Sequence, residues 1–345
     1  MRELQLALVG YGYVGRVFHA PLIEATDGLR LHSIVSSQPD LAGRHTGTRV
    51  SADRSAVLHD PQIDAVVIAT PNDTHAPIAL EALAAGKHVL VDKPFALDLA
   101  QARAVMAAAR QAGRVCSVFQ NRRWDADFLT VQQLLAERTL GEVAEFHSHF
   151  DRHRPQVRDR WRESEAAGAG LWFDLGPHVL DQALLLFGRP QAIAADLLRQ
   201  RDGARSDDYF HVVLHYPRLR AHLHAGSLVA DARLRFAVHG RLGSYLKQGL
   251  DTQEAMLRDG VVPGAPGWGE DPLPGELTRV AGDAVLRPEP VDTLRGDYRR
   301  CYAAFRDAVA GQGAPPASEA EALQVMELLE LAVRSAALGQ RLDVP

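Results

Sequence analysis

The stretch 4–15, LQLALVGYGYVG, constrains this chain more than any other. Leu4, Leu6, Leu8 and Val9 form a short apolar run, and Gly10, Gly12 and Gly15 follow it in G-x-G-x-x-G spacing. Val14, Val17, Phe18, Leu22 and Ile23 then recur at helical intervals. Glycines set between a buried strand and a helix start are the context in which this spacing binds a dinucleotide. One glycine permits the tight turn, a second lets the backbone approach a pyrophosphate, and the third lets helix and strand pack closely. A diphosphate placed there meets unpaired N–H groups and the positive end of the helix dipole. The expected nucleotide-binding set is Gly10, Tyr11, Gly12, Tyr13, Val14 and Gly15; the competing reading is an ordinary strand–helix turn.

Strands and helices alternate beyond this point. Apolar runs at Leu29–Val35, 63–70, His88–Val91 and 115–119 read as further strands, separated by helical segments ending near Leu83 and Ala112. β-branched, continuously apolar strands are those of a parallel sheet covered on both faces. Residues 1–120 are therefore expected to form a doubly wound Rossmann α/β domain, with ligands at the carboxyl ends of its strands. Ser36, Thr70, Lys93 and Asn121 all fall at such ends. An acidic residue about 20 positions past the glycines would hold the ribose hydroxyls of NAD. Ser36 and Ser37 stand there instead, which favours NADP(H), with Arg44 a possible source of positive charge; Asp40 is the residue that would restore an NAD preference.

The second part, 121–345, changes character. Period-two runs at 144–153, Ala192–Leu198, 209–216, 219–227 and 234–239 predict an open, mostly antiparallel sheet, interrupted by a helix over Leu171–Phe187. The stretch 261–275, rich in glycine and proline, reads as a long loop, and 298–309 and 320–337 read as helices. At 345 residues with 46% hydrophobic content, two domains with real cores are expected. A net charge of −5 gives no reason to expect nucleic acid, and no apolar run approaches the ~20 residues of a membrane span. Two cysteines, Cys116 and Cys301, make no disulfide framework, so a reducing cytoplasmic setting is expected.

Two features carry chemistry. Lys93 ends an apolar strand and precedes Pro94, which biases it toward an extended conformation and aims it at the cofactor crevice. Asp174 and His178 are i,i+4 on a largely apolar helix, and a carboxylate beside an imidazole suits a general acid/base. The plain alternatives are a solvated surface lysine and a satisfied core pair. Histidines at 147, 149 and 153, and at 211, 215, 222 and 224, permit metal ligation by spacing alone. With no H-E-x-x-H motif or cysteine partner, a polar sheet face is the preferred reading and no metal is expected.

With these residues in hand, the chain resembles the glucose–fructose oxidoreductase/inositol dehydrogenase (Gfo/Idh/MocA) family over nearly its whole length. Three motifs carry the resemblance: the glycine loop, Asp92-Lys93-Pro94, and Gly168-Ala-Gly170 leading to Asp174 and His178. Segments 121–125, 127–130, 152–155 and 161–163 make it most similar, within that family, to NADP-dependent scyllo-inositol dehydrogenases. The departure is Asp92 where the family has glutamate. The resemblance implies catalysis by Lys93 and His178, with Asp174 as partner of His178. It implies a cofactor site lined by Thr70, Pro71, Asn72, His75, Asp92, Lys93 and Asn121, with Trp161 and Arg162 at the nicotinamide end. Arg122 and Arg154 become substrate-pocket candidates. The implied reaction is NADP(H)-linked interconversion of a cyclic polyol or sugar hydroxyl and its ketone, in a homodimer or homotetramer assembled through the open sheet. A non-catalytic NAD(P)-binding sensor and an NAD-using glycosidase are the alternatives within the family.

Overall fold

A computed structural model describes residues 2–38, 41 and 47–345. Arg44 and Asp40, raised above as charges near the ribose, lie outside the described residues. The chain divides into two compact units. The first holds residues 1–121, 253–268 and 297–326; the second holds 122–252, 269–296 and 327–345. The chain therefore returns twice to the first unit after leaving it at Asn121.

Six parallel strands form the sheet of the first unit: β1 (Leu4–Val9), β2 (Leu29–Val35), β3 (Arg49–Ser51), β4 (Ala65–Ile68), β5 (His88–Val91) and β6 (Cys116–Val118). Their order is β3-β2-β1-β4-β5-β6. β4 is buried at every residue, as a strand covered on both faces requires. The order reverses between β1 and β4, which pair directly through Val9 and Ile68. Such a switch point is where open α/β sheets take their ligands. β3, three residues at the sheet edge, is too short to give a periodic signal and went unexpected. Helix ends follow local chemistry: Asp98 accepts from the Gln101 N–H at 2.7 Å to start the Leu99–Ala112 helix, and Gly113 stops it with φ +61°. Thr74 stands at the N-cap position of the His75–Ala84 helix, where a threonine is expected to cap. It does not cap the His75–Ala84 helix; its hydroxyl turns back to within 2.6 Å of the Thr70 hydroxyl and of the Pro71 carbonyl.

The second unit is built on a ten-stranded mixed sheet. Its strands are β7 (Val143–His149), β8 (Ala192–Leu198), β9 (Tyr209–His215), β10 (Arg220–Gly226), β11 (Leu234–Gly240), β12 (Gly243–Gln248), β13 (Gly275–Ala281), β14 (Ala284–Val285), β15 (Glu289–Val291) and β16 (Leu342–Asp343). β7 and β10 pair in parallel and the other neighbouring strands pair antiparallel, giving the order β14-β13-β12-β11-β7-β10-β9-β8-β16 with β15 beside β13. The expected open, mostly antiparallel sheet is therefore present. The Leu171–Phe187 helix packs on β9 and β10, over a face of Phe146, Phe210, Val212, Leu214, Leu223 and Phe236 that is wholly buried. The 261–274 segment is irregular, as expected, but it contains a fully buried Trp268, whose indole donates to Asp297 at 3.2 Å. No helix among the described residues is long and apolar enough to cross a membrane.

Candidate active site

The glycine loop sits at the switch point, and its three glycines differ in what they need. Gly10 has φ +98°, and a Cβ there would lie 2.4 Å from the Ala69 carbonyl oxygen. Gly15 would place a Cβ 2.3 Å from the Gly10 carbonyl oxygen. A Cβ on Gly12 would meet nothing within 4 Å, so the space above that backbone is free for a ligand. Gly12→Ala is therefore expected to fold with unchanged melting temperature while dinucleotide affinity falls at least about tenfold, on the order of 1.4 kcal/mol. Gly15→Ala, which forces backbone apart, is expected to lose about 1–3 kcal/mol of stability. Thermal melts and a cofactor titration of both variants check this; equal destabilisation by the two would count against an open site above Gly12.

The helix after the loop opens with a single π-type turn at Gly15–His19 before the Ala20–Glu24 segment. Tyr11 is buried and Tyr13 half-exposed, its ring edge-on to Phe18. At the end of β2 the Ser36 hydroxyl accepts from the Gln38 N–H at 3.2 Å, and the Gln38 side chain donates to the Tyr11 carbonyl at 3.2 Å. This ties the segment bearing Ser36 and Ser37 to the glycine loop. At the end of β4, Pro71 is exposed and Asn72 buried. The fully buried His75 ring has Nδ1 2.8 Å from the Pro94 carbonyl and Nε2 2.9 Å from the Thr70 carbonyl. His75 thus braces the loops that follow β4 and β5 against each other. At the end of β5, Asp92 is buried and accepts from the Lys93 N–H at 2.9 Å, and the Lys93–Pro94 peptide is cis. Asn121, buried, begins a short turn after β6.

Behind this crevice lies a group that sequence reasoning missed. His19, fully buried, has Nδ1 2.6 Å from the Tyr302 hydroxyl and its ring 4.4 Å from that of Phe119. Burial drives its pKa down to about 4, against the pull of the Asp92 carboxylate, so the ring is neutral near pH 7. Tyr302 lies 283 residues away in sequence, and no local pattern announces the pair.

In the second unit, Asp174 and His178 stand on the Leu171–Phe187 helix as expected, His178 buried and Asp174 partly exposed. Asp207 fixes the start of that helix: its carboxylate accepts from the Trp172 N–H at 2.6 Å and its carbonyl from the Leu171 N–H at 2.8 Å. Gly170 has φ +99°, and a Cβ there would lie 2.1 Å from Asp207 Oδ1. Burial pushes the Asp207 carboxyl up to about 6, although the N–H donors pull it down. The Asp174 carboxylate lies 3.7 Å from Arg162 Nε and 4.0 Å from Arg152. Arg152, Arg154, Arg162 and Asp174 line one small polar pocket. Trp161 and Arg162 share a short turn, with the guanidinium 5.1 Å from the indole ring. Arg122 is placed differently: its guanidinium lies 4.8 Å from the Phe150 ring centroid and 3.4 Å from the Asp125 carboxylate, with only 11% of the side chain exposed.

The comparisons agree with this architecture. Residues 4–120 match the model of an oxidoreductase family's NAD-binding Rossmann fold, and 132–344 match the same family's C-terminal alpha/beta domain. The chain is 51% identical to the uncharacterized oxidoreductase YdgJ of Escherichia coli (strain K12), over 97% of this chain and 96% of that one. It is 34% identical to IolW of Bacillus subtilis (strain 168), a scyllo-inositol 2-dehydrogenase (NADP(+)), over 96% of this chain and 93% of that one. The solved structure of YPO2259 from Yersinia pestis superposes with a TM-score of 0.95 at 46% identity, covering 100% of this chain and 98% of that one. A parallel sheet with a glycine loop at its switch point, a mixed sheet carrying the Asp174/His178 helix, and family matches over both parts lead to one conclusion: the chain belongs to the Gfo/Idh/MocA family of nicotinamide-dependent oxidoreductases.

Proposed function

We propose that this oxidoreductase uses NADP(H) to interconvert a hydroxyl of a cyclic polyol or sugar and its ketone, with scyllo-inositol and its inosose as the first pair to try. The observation that carries the reading is the presence together, in a member of this family, of Lys93 after β5 and of Asp174 with His178 on a helix pinned by Asp207. The similarity to IolW supports the substrate class and the cofactor. The open space above Gly12 fits a pyrophosphate, and the serines after β2 suit a 2′-phosphate where a carboxylate would repel it. When bound, the nicotinamide supplies or accepts the hydride. Gly10, Gly12 and Gly15 would hold the diphosphate, and Thr70, Pro71, Asn72 and Asn121 would flank the remainder. Lys93 donates a hydrogen bond to the substrate oxygen and stabilises negative charge developing there. His178 exchanges the proton of that oxygen, and Asp174 orients the imidazole. Arg154 and Arg162, beside Asp174, serve the substrate and cofactor ends of that chemistry. The open sheet face packs against a second copy of the chain.

The test is turnover of NADPH and NADH with a panel of inososes and keto-sugars, and of NADP with scyllo-inositol, myo-inositol and glucose in reverse. Turnover of one inosose with NADPH is the expected result. Tight NADP(H) binding without turnover of any compound would replace this reading by a sensor, and sugar cleavage without net change of the cofactor by a glycosidase. Ser36→Asp is expected to move the NADPH:NADH ratio of kcat/KM toward NADH by on the order of tenfold or more, the size of one lost charged hydrogen bond. An unchanged ratio would place the 2′-phosphate elsewhere.

A further inference from the structure

The open face of the second sheet gathers side chains of one chemistry. Register sets His147 opposite His222 and His149 opposite His224 across the parallel β7–β10 pair, and His211 opposite His224 across β9–β10. The period of two does the rest: Glu145, His147, His149 and Asp151 follow one another as E-x-H-x-H-x-D, while Phe146, Ser148 and Phe150 between them are buried. The His147 and His222 rings stack 4.6 Å apart and 10° from parallel, and those of His149 and His224 lie 5.0 Å apart. A carboxylate closes each pair. Glu145 Oε1 is 2.7 Å from His147 Nε2 and 3.7 Å from His222 Nε2. Asp151 has one oxygen 2.9 Å from His149 Nδ1 and the other 3.2 Å from His224 Nε2. In each group the three donor atoms lie within 4.8 Å of one another.

We propose that this face binds divalent transition-metal ions of the zinc class at two sites, one formed by Glu145, His147 and His222, the other by His149, Asp151 and His224. Two imidazoles and a carboxylate are the ligands of open zinc sites, which leave a further position for water or another donor. That donor set selects zinc, nickel or copper over magnesium and calcium, which prefer oxygen. A tetrahedral ion with bonds of about 2.0–2.1 Å holds its ligands about 3.3 Å apart, close to the separations already present. The two sites are not equally built. The Asp151 side chain is 6% exposed, and its Oδ1 accepts from the Gly226 N–H at 3.0 Å, which fixes the carboxylate as an outer-shell partner does. The Glu145 side chain is 47% exposed and freer to move. The site containing Asp151 is therefore the tighter of the two. Each draws all its ligands from one chain, so neither needs the assembly proposed above, and neither involves Lys93 or His178.

The experiment is a competition titration of chelator-stripped, full-length protein with zinc chloride, and with cobalt chloride to read the visible bands of a low-symmetry site. Two ions per chain with dissociation constants on the order of micromolar or tighter are expected. His149→Gln with His224→Gln removes the tighter ion, and His147→Gln with His222→Gln the weaker. Metal-free melts and circular dichroism of each double variant should match the parent. Crystals of the parent grown with zinc, read by anomalous scattering, give the same answer without any variant. Binding no tighter than about millimolar, stoichiometry unaltered in both double variants, or anomalous peaks away from these six residues would each overturn the proposal.

Discussion

His178→Asn is expected to lower kcat on the order of 10²–10⁴-fold, the span of a lost general acid/base, with the dissociation constant for NADPH unchanged. The imidazole sits on a helix whose first turn is held by the Asp207 carboxylate and whose Trp172 indole donates to the Leu329 carbonyl at 3.1 Å. The helix is so held independently of the imidazole, and the melting temperature reports folding separately from chemistry. Lys93→Met is expected to cost about 10²–10³-fold in kcat, as removal of a donor aimed at developing charge does, again with NADPH bound normally. The pH profile of kcat distinguishes the two roles. The limb belonging to the acid/base disappears in His178→Asn and persists in Lys93→Met. Asp174→Asn is expected to keep that limb but displace it, because in the proposed reading the carboxylate acts through the imidazole. Turnover within a few-fold of the parent in both His178→Asn and Lys93→Met would remove these residues from the chemistry altogether.

The parts of this design that the sequence reveals are those whose causes are local. Gly10, Gly12 and Gly15 are legible because their spacing falls between an apolar strand and a helical pattern, and the structure puts backbone atoms under 3 Å from a Cβ added at Gly10 or Gly15 while leaving Gly12 open. The buried parallel strands are legible because continuous apolar runs have few other uses. Lys93, Asp174 and His178 stand on the elements expected for them. What escapes is whatever depends on meeting a distant residue. Asp207 accepts from the Trp172 N–H, 35 residues earlier, and neither end of that bond has a signature. Alternation shows which residues of β7, β9 and β10 share a face, but only the register shows which histidines meet. β12 and β13 flank glycine- and proline-rich segments that conceal them. Arg235 is the clearest case. Strict alternation in β11 puts it on the same face as Ala237 and His239, yet the ladder between β11 and β12 slips between Leu234 and Phe236, and the side chain enters the core.

Arg235→Met is expected to destabilise the protein by about 3–5 kcal/mol, the cost of breaking a buried ion pair from one side. The guanidinium is 1% exposed and lies 3.0 Å from the fully buried Asp127 carboxylate. It also donates to Ser148 Oγ at 2.9 Å and to Gln182 Oε1 at 2.9 Å, and lies 4.1 Å and 3.9 Å from the ring centroids of Phe150 and Phe236. Burial pulls its pKa down and the Asp127 and Asp125 carboxylates push it back up. Asp125, buried beside them, is itself pushed well above the usual carboxylate range by desolvation, with Arg122 opposing. Methionine fills most of the arginine stem but leaves Asp127, among the described residues, with the N–H of Phe128, 2.6 Å away, to meet its charge. Arg235→Met with Asp127→Leu removes both charges, and is expected to recover much of the loss because no uncompensated ion remains. Urea denaturation of the parent, both single variants and the double variant closes the cycle. Additive losses would mean that Arg235 contributes packing and not pairing. The network also reaches the proposed chemistry: Gln182 is one helical turn beyond His178 on the same helix, and without the guanidinium its side chain keeps its donation to the Arg122 carbonyl at 3.0 Å but loses the donor to Oε1. Arg235→Met should therefore lower kcat even where the protein is fully folded, and the double variant should not restore it, since neither methionine nor leucine replaces the donor to Gln182 Oε1.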